Sequence, residues 1–379
     1  MAISGNARRD KTSETSSQKL VKNYVIYDGL ASHIYKIKAI NVCLTILTLG
    51  IYSFWGKVRI RKYLARSFAL RGDRFEYSGK GGELFKGFLK AAPILIFLIY
   101  PFIAGASYDT NDEELPLYLA LWTFLSIIMF MTLLPMVKYM AMRYRLSRTR
   151  WRAIRGMLTG KVSGFLWVSL KASLLTMVTL GIYKPFADIK RFEYVANHLH
   201  VGNLQASFDY AAHHGLLKTY ILTIVSMVLM FLVGSALLGT PTVLEAIGIG
   251  GVPNLLVTLC YIIGILFLSV GISVCLQFYK AKLIQAYMRG LKLGSLRFKS
   301  YVTGGKLAKF TIANGLILIF TLGMGRPIVL NRKMRFWSQG IVIGGDIESE
   351  CNKIQQAQSE NKDGLGEGVG EMMDLDMGL

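Results

Sequence analysis

Four runs of this chain are apolar over a length that constrains everything else, because about 20 helical residues cross the roughly 30 Å of hydrocarbon in a bilayer. They extend approximately over Leu84 to Ser107, Leu115 to Val137, Thr219 to Leu238 and Asn254 to Gln277. The first contains Pro93 and Pro101, whose freed carbonyls require neighbouring helices. Three shorter apolar runs, Ala39 to Trp55, Ala172 to Tyr183 and Phe310 to Met324, follow lysines at their mouths. Runs of that length are more often re-entrant, interfacial or buried than spanning. With 53% hydrophobic residues and a mean hydropathy of +0.41, the chain reads as a polytopic α-helical membrane protein.

The net charge of +21 then has a topological meaning. The segments Lys57 to Lys80, Lys138 to Lys161 and Lys280 to Lys309 each hold eight basic residues, and Lys184 to Lys218 and Arg326 to Arg335 hold four each. The link Gly105 to Pro116 holds Asp109, Asp112, Glu113 and Glu114, and the link Gly239 to Pro253 holds Glu245, with no Lys or Arg in either. The positive-inside rule puts all five basic segments in the cytosol and both links outside. Seven crossings would put alternate basic clusters outside. The reading that satisfies the charges is four spanning helices in two out-and-back hairpins, three short re-entrant or interfacial helices, and cytoplasmic N- and C-termini.

The short runs end in one phrase: Thr48-Leu49-Gly50-Ile51-Tyr52, Thr179-Leu180-Gly181-Ile182-Tyr183 and, with a departure, Thr321-Leu322-Gly323-Met324-Gly325. Eleven residues beyond each Thr stands a cation, Arg59, Lys190 or Arg332, and fifteen beyond an aromatic, Tyr63, Tyr194 or Phe336. Gly50, Gly181 and Gly323 are placed to supply left-handed caps, and Pro185 and Pro327 keep the entering helices from continuing. Alternating stretches follow the basic helices, giving six candidate strands: Tyr24 to Tyr27, Arg74 to Tyr77, Trp151 to Arg155, Leu204 to Phe208, Leu296 to Tyr301 and Gly340 to Ile347. These predict a small cytosolic β-layer beneath the helices. The chain parses as a disordered arm over 1–23, a membrane repeat over 24–149, a second over 150–293, a truncated third over 294–350, and a disordered acidic tail over 351–379.

The run Leu44 to Arg59, continued by Arg61-Lys62-Tyr63 and the stretch Gly72 to Tyr77, resembles the signature of the YjgN-like family of bacterial inner-membrane proteins, a domain of unknown function. The resemblance covers about residues 24 to 350 and implies a multi-pass protein of the bacterial inner membrane. It carries over no catalytic residue.

Chemistry is sparse. His198, His200, His213 and His214 lack the Cys, Asp or Glu of a recognisable metal set apart from Asp209, so no metal or other cofactor is expected. The four cysteines, Cys43, Cys260, Cys275 and Cys351, form no C-x-x-C pair. No carboxylate lies in the centre of an apolar run and no nucleophile motif is present, so an enzyme or a proton relay is not expected. The glycines Gly79, Gly81 and Gly82 ahead of Glu83, and Gly304 and Gly305 ahead of Lys306, read as flexible helix entries that could also offer N–H groups to an anionic headgroup. The polar residues of the short runs, Lys36, Lys38, Asn41, Lys171, Lys306, Lys309 and Asn314, are the candidate ligand-binding set, suited to an anionic solute or lipid in a cytosol-facing cavity. Basic helices with interleaved Tyr and Phe fit anionic inner-leaflet lipid better than nucleic acid. The competing reading is a membrane scaffold or regulator whose β-layer binds a cytosolic protein.

Overall fold

In the computed structural model, which describes residues 22–107, 116–213, 215–246, 254–352 and 354, the order strand, helix, helix, strand runs five times. The first pass is β1 (Lys22–Tyr27), α1 (Ala31–Leu47), α2 (Ser53–Arg66) and β2 (Phe68–Leu70). The second is β3 (Asp73–Tyr77), α3 (Gly81–Ala106), α4 (Leu117–Ser147) and β4 (Thr149–Trp151). The third is β5 (Ile154–Leu158), α5 (Val162–Val178), α6 (Lys184–Asn197) and β6 (Leu199–Val201). The fourth is β7 (Leu204–Phe208), α7 (Leu216–Ala246), α8 (Asn254–Gly290) and β8 (Leu291–Leu293). The fifth is β9 (Leu296–Ser300), α9 (Gly304–Phe320), α10 (Arg326–Gly340) and β10 (Ile341–Gly344). A short C-terminal helix occupies 347–352.

The ten strands form a closed antiparallel barrel in the order β1-β10-β9-β8-β7-β6-β5-β4-β3-β2. This corrects the expected small β-layer of six strands, set beneath four spanning and three re-entrant helices: the sheet has ten strands and no edge, because β1 pairs with both β2 and β10. Closure satisfies every strand's ladder and removes the exposed edges a six-strand layer would carry. The extra strands, such as β2, β6 and β8, are three residues long and continue directly from helix ends, too short to show alternation. Two expected strands also shift. Trp151 to Arg155 straddles the β4–β5 turn, and Gly340 to Ile347 ends inside the C-terminal helix.

Because each helix pair joins two antiparallel strands at the same end, all five pairs leave one rim and all four tight hairpin turns lie at the other. Those turns, Arg71-Gly72, Arg152-Ala153, Gly202-Asn203 and Gly294-Ser295, are two-residue loops. Positive φ at Arg71 (51°), Gly72 (89°), Arg152 (49°) and Ala153 (64°) gives the first two the primed geometry that matches strand twist. The barrel is filled rather than hollow. Leu70, Ile154, Ala206, Leu293 and Leu296 point inward with Phe75, Trp151, Val201 and Phe298, and Ile347, Cys351 and Ile354 of the C-terminal segment close the cluster. The acidic tail, expected from 351, therefore begins within an ordered and buried segment. The rest of that tail and the N-terminal arm up to residue 21 lie outside the described residues.

The helices sort by length. Four stretches are long and apolar enough to span: Gly81–Ala106, Leu117–Ser147, Leu216–Thr240 and Val257–Gly290. They match the four long sequence runs. Of the two expected links, residues 108–115 and 247–253 lie outside the described residues, while Glu245 falls within the last turn of α7. The inbound helices α1, α5 and α9 have 17 residues each, about 25 Å of helix. Their tips share one geometry. Thr48 Oγ1 donates to Leu44 O at 2.7 Å and accepts from Tyr52 N–H at 2.9 Å, and Thr179 and Thr321 repeat both bonds. Gly50, Gly181 and Gly323 donate back to Thr45, Thr176 and Leu318 carbonyls, each at 2.7 Å. Each glycine has positive φ, as expected, but so does the leucine before it: Leu49, Leu180 and Leu322 all lie at 48°. The left-handed cap position is thus a leucine, at a steric cost of about 1–2 kcal/mol. Those leucines are 94%, 93% and 92% exposed, apolar points where each short hairpin turns.

Candidate functional site

The first two passes meet in a cleft of about 840 Å³ between α2 and the start of α3. Its walls carry Tyr52, Trp55, Arg59, Lys62, Lys80 and Lys86, with Gly81, Gly82 and Glu83 at its floor. Local sequence explains the shape. Gly81 is buried, and a Cβ there would meet the Trp55 ring and backbone at 2.6–2.9 Å, so glycine lets α3 begin against α2. Lys80 ends the loop in extended conformation, and no side chain caps the first N–H groups of α3, whose residues Gly81, Gly82 and Glu83 line the cleft. Below it Trp55 packs on Phe85 at 5.8 Å and Phe54 on Phe88 at 5.2 Å, and α3 continues outward through exposed Phe88, Leu89, Ile94 and Leu95.

The charges do not cancel. Glu83 has both carboxylate oxygens engaged elsewhere: one accepts from the Tyr144 hydroxyl at 2.8 Å and the other lies 3.3 Å from Arg148 Nη2. Arg59, Lys62, Lys80 and Lys86 pair with no carboxylate among the described residues, and Arg59 rests on the Tyr52 face at 5.9 Å. Four cations around one pocket repel one another unless an anion joins them. A smaller cleft of about 480 Å³ in the third pass shows the alternative. There Lys184 and Arg191 both pair with Asp188, and Arg191 also donates to Ser173 Oγ at 2.7 Å. Counting from the shared Thr, the residue equivalent to Asp188 in the first pass is Lys57. One exchange of sign leaves the first cluster without its internal counterion.

The sequence-selected polar residues lie elsewhere, on three helix pairs. Lys36, Lys171, Lys306 and Lys309 are exposed. Lys38 faces α10, where burial and then Arg326 hold its ammonium below the usual lysine value. Asn41 is buried and donates to the Gly56 carbonyl of α2 at 3.1 Å, joining the two helices of its hairpin. Asn314 is equally buried, and its Oδ1 has no partner. None of these residues lines either cleft. His198 Nδ1 lies 2.7 Å from Tyr194 O and His200 Nδ1 3.4 Å from Thr159 Oγ1, while His214 lies outside the described residues. No group of three possible metal ligands occurs among the described residues.

Comparison with known proteins gives a consistent placement. A family model described as bacterial protein of unknown function (DUF898) matches residues 23–372. A Salmonella typhimurium protein named inner membrane protein YjgN is 22% identical over 382 aligned residues, covering 88% of this chain and 91% of its own length. Proteins of the same name from Escherichia coli K12 and O157:H7 are 27% and 26% identical over 41% of this chain. Those two matches cover only 36% of the Escherichia coli proteins' length. No solved structure matches.

Proposed function

The chain belongs to the DUF898 family, bacterial proteins of unknown function with relatives named for the inner membrane, and from that premise we propose that it binds an anionic amphiphile, a lipid with a phosphate-bearing headgroup, in the α2–α3 cleft. The observation that carries this reading is the gradient along one site. Four uncompensated cations and an uncapped helix start lie at the barrel end, and aromatic then lipid-exposed apolar side chains lie along α3. A headgroup would neutralise the cations while its chains follow the helix. The positive-inside rule supports a cytosolic barrel and a site at the inner-leaflet surface. The packed barrel interior supports a rigid hub that holds five helix pairs rather than a conduit, which favours binding over transport.

The test uses the purified full chain in neutral detergent. Vesicle-forming phosphatidylglycerol or cardiolipin, added as mixed micelles, is expected to raise the unfolding temperature, and phosphatidylcholine is not. The combined variant Arg59→Gln, Lys62→Gln and Lys80→Gln is expected to lose the response while keeping its own unfolding temperature in lipid-free detergent. An undiminished response in that variant, or equal stabilisation by the zwitterionic lipid, overturns the reading.

A further inference from the structure

The C-terminal helix is attached in an unusual manner: although only about two turns long, it touches all four hairpin turns of the barrel. Glu348 lies 3.0 Å from Arg71 in the first turn and, through its other oxygen, 3.0 Å from Arg152 in the second. Ile354 fills the space beside Gly202 in the third, where any Cβ would collide with it. Glu350 accepts from the Ser295 N–H at 3.3 Å in the fourth and occupies the space above Gly294. On the inward face, Ile347, Cys351 and Ile354 are 3%, 4% and 3% exposed and belong to the barrel core. Positions i, i+4 and i+7 are one stripe of a helix, so this is an amphipathic helix with its acids turned to the rim.

The rim is shaped to receive such a helix. Arg152-Ala153 is a primed turn with no glycine, both residues at positive φ, which is ordinarily strained. Arg152 is held there by Asp73 on one side and Glu348 on the other. The helix meets the turns and the barrel core through three apolar side chains, Ile347, Cys351 and Ile354, and two carboxylates, Glu348 and Glu350. A helix this short is not stable alone, and it folds where it docks.

We infer that the turn end of the barrel is a docking site for a short acidic amphipathic helix, occupied here by the chain's own residues 347–352 and 354, and that this segment leaves and re-enters it as a unit. The occupant it selects has apolar residues at i, i+4 and i+7 and carboxylates at i+1 and i+3, the pattern of Ile347-Glu348-Ser349-Glu350-Cys351 continued to Ile354. At cytosolic pH the Glu348 carboxylate stays charged. Hydrogen bonds from Arg152 and Arg71 hold the Glu348 carboxyl below its usual range, so charge reversal, not mild acid, is the lever.

Cys351 reports the motion, since a seated thiol is covered and burial pushes its ionisation up. In full-length protein with Cys43→Ala and Cys260→Ala, maleimide labelling of Cys351 is followed over time, with buried Cys275 of α8 as the internal control for global unfolding. Glu348→Lys is expected to speed Cys351 labelling about fivefold, with Cys275 unchanged. A synthetic peptide of residues 346–356 with Cys351→Ala, added in excess, is expected to speed it likewise by taking the vacated site, and a peptide with both glutamates changed to lysine is not. Should neither the variant nor the acidic peptide change Cys351 labelling relative to Cys275, the helix is a fixed part of the core and the inference fails. Should both cysteines accelerate together in Glu348→Lys, and the acidic peptide have no effect on the parent, the helix is a folding element and not a docked one, which also overturns it.

Discussion

Replacing the tip glycines isolates a single physical quantity. A Cβ built on Gly50 or Gly323 meets nothing within 4 Å, and one on Gly181 meets only the Tyr220 hydroxyl at 3.7 Å, an ordinary contact. Alanine at these positions therefore adds no clash. What it adds is a side chain at φ of 94°, 93° and 82°, immediately after a leucine already in the left-handed region. That conformation costs an L-residue about 1–2 kcal/mol. The three tips belong to different helix pairs, so their costs add, and Gly50→Ala, Gly181→Ala and Gly323→Ala together are expected to cost about 3–6 kcal/mol. For a chain of this size, with unfolding entropy near 2 cal/mol/K per residue, that lowers the unfolding temperature by roughly 4–8 °C. Gly315→Ala is the control. It lies inside α9 at ordinary φ with nothing within 4 Å of its Cβ, so it is expected to be neutral or to add about 0.5–1 kcal/mol. The assay is tryptophan-fluorescence melting in one detergent. A triple variant that melts within a degree of the parent while Gly315→Ala behaves as expected refutes the strain argument, because two of the added methyls have no neighbour within 4 Å and the third makes only one ordinary contact.

Tyr27 gives a pH prediction outside the membrane. Burial, then the neighbouring Tyr63, pushes its phenol up to about 12, and its hydroxyl donates to Asn331 Oδ1 at 2.9 Å. A group whose folded pKa is raised above its unfolded value stabilises fully below the unfolded value. This contribution should hold to about pH 10 and fall as pH rises through about 12, so parent and Tyr27→Phe melting temperatures are expected to converge across that window. Orientation is tested separately: reporters fused after Trp55, Tyr183 and Gly325 are expected to read cytoplasm, and fusions near Asp112 and Glu245 the outside. Opposite signals from the Trp55 and Tyr183 fusions would show that the short hairpins cross.

The spans were legible because their signal is local: length and apolarity identify Gly81–Ala106 or Leu216–Thr240 without reference to anything else in the chain. The Thr-Leu-Gly phrase was legible as a turn for the same reason, though not that its leucine takes the left-handed position, since sterics alone would give that place to glycine. The barrel was not legible. Phe68–Leu70 and Leu199–Val201 are too short to alternate, and closure is decided by pairing between opposite ends of the chain. The cleft had both halves in view, the basic run Lys57 to Lys62 and the glycines before Glu83, but only the packing of Gly81 against Trp55 brings them together. Lysines at the mouths of the short runs drew attention instead because charge beside an apolar run stands out in sequence, whereas four cations sharing one cleft do so only in three dimensions.

Closure of the barrel also sets a timetable for biosynthesis. Tyr24 of β1 waits for Val342 of β10, and at about 5–20 residues per second the ribosome needs roughly 15–60 s to supply it. During that interval both long hairpins have already emerged for insertion, while the incomplete sheet presents the unpaired backbone of β1 on one side and of the newest strand on the other. Open edges of that kind pair readily with other chains. A ribosome that stalls before Ile341 leaves a protein anchored in the membrane with both edges permanently bare, so the length of the chain that has been read is displayed at the membrane surface as the presence or absence of a seam.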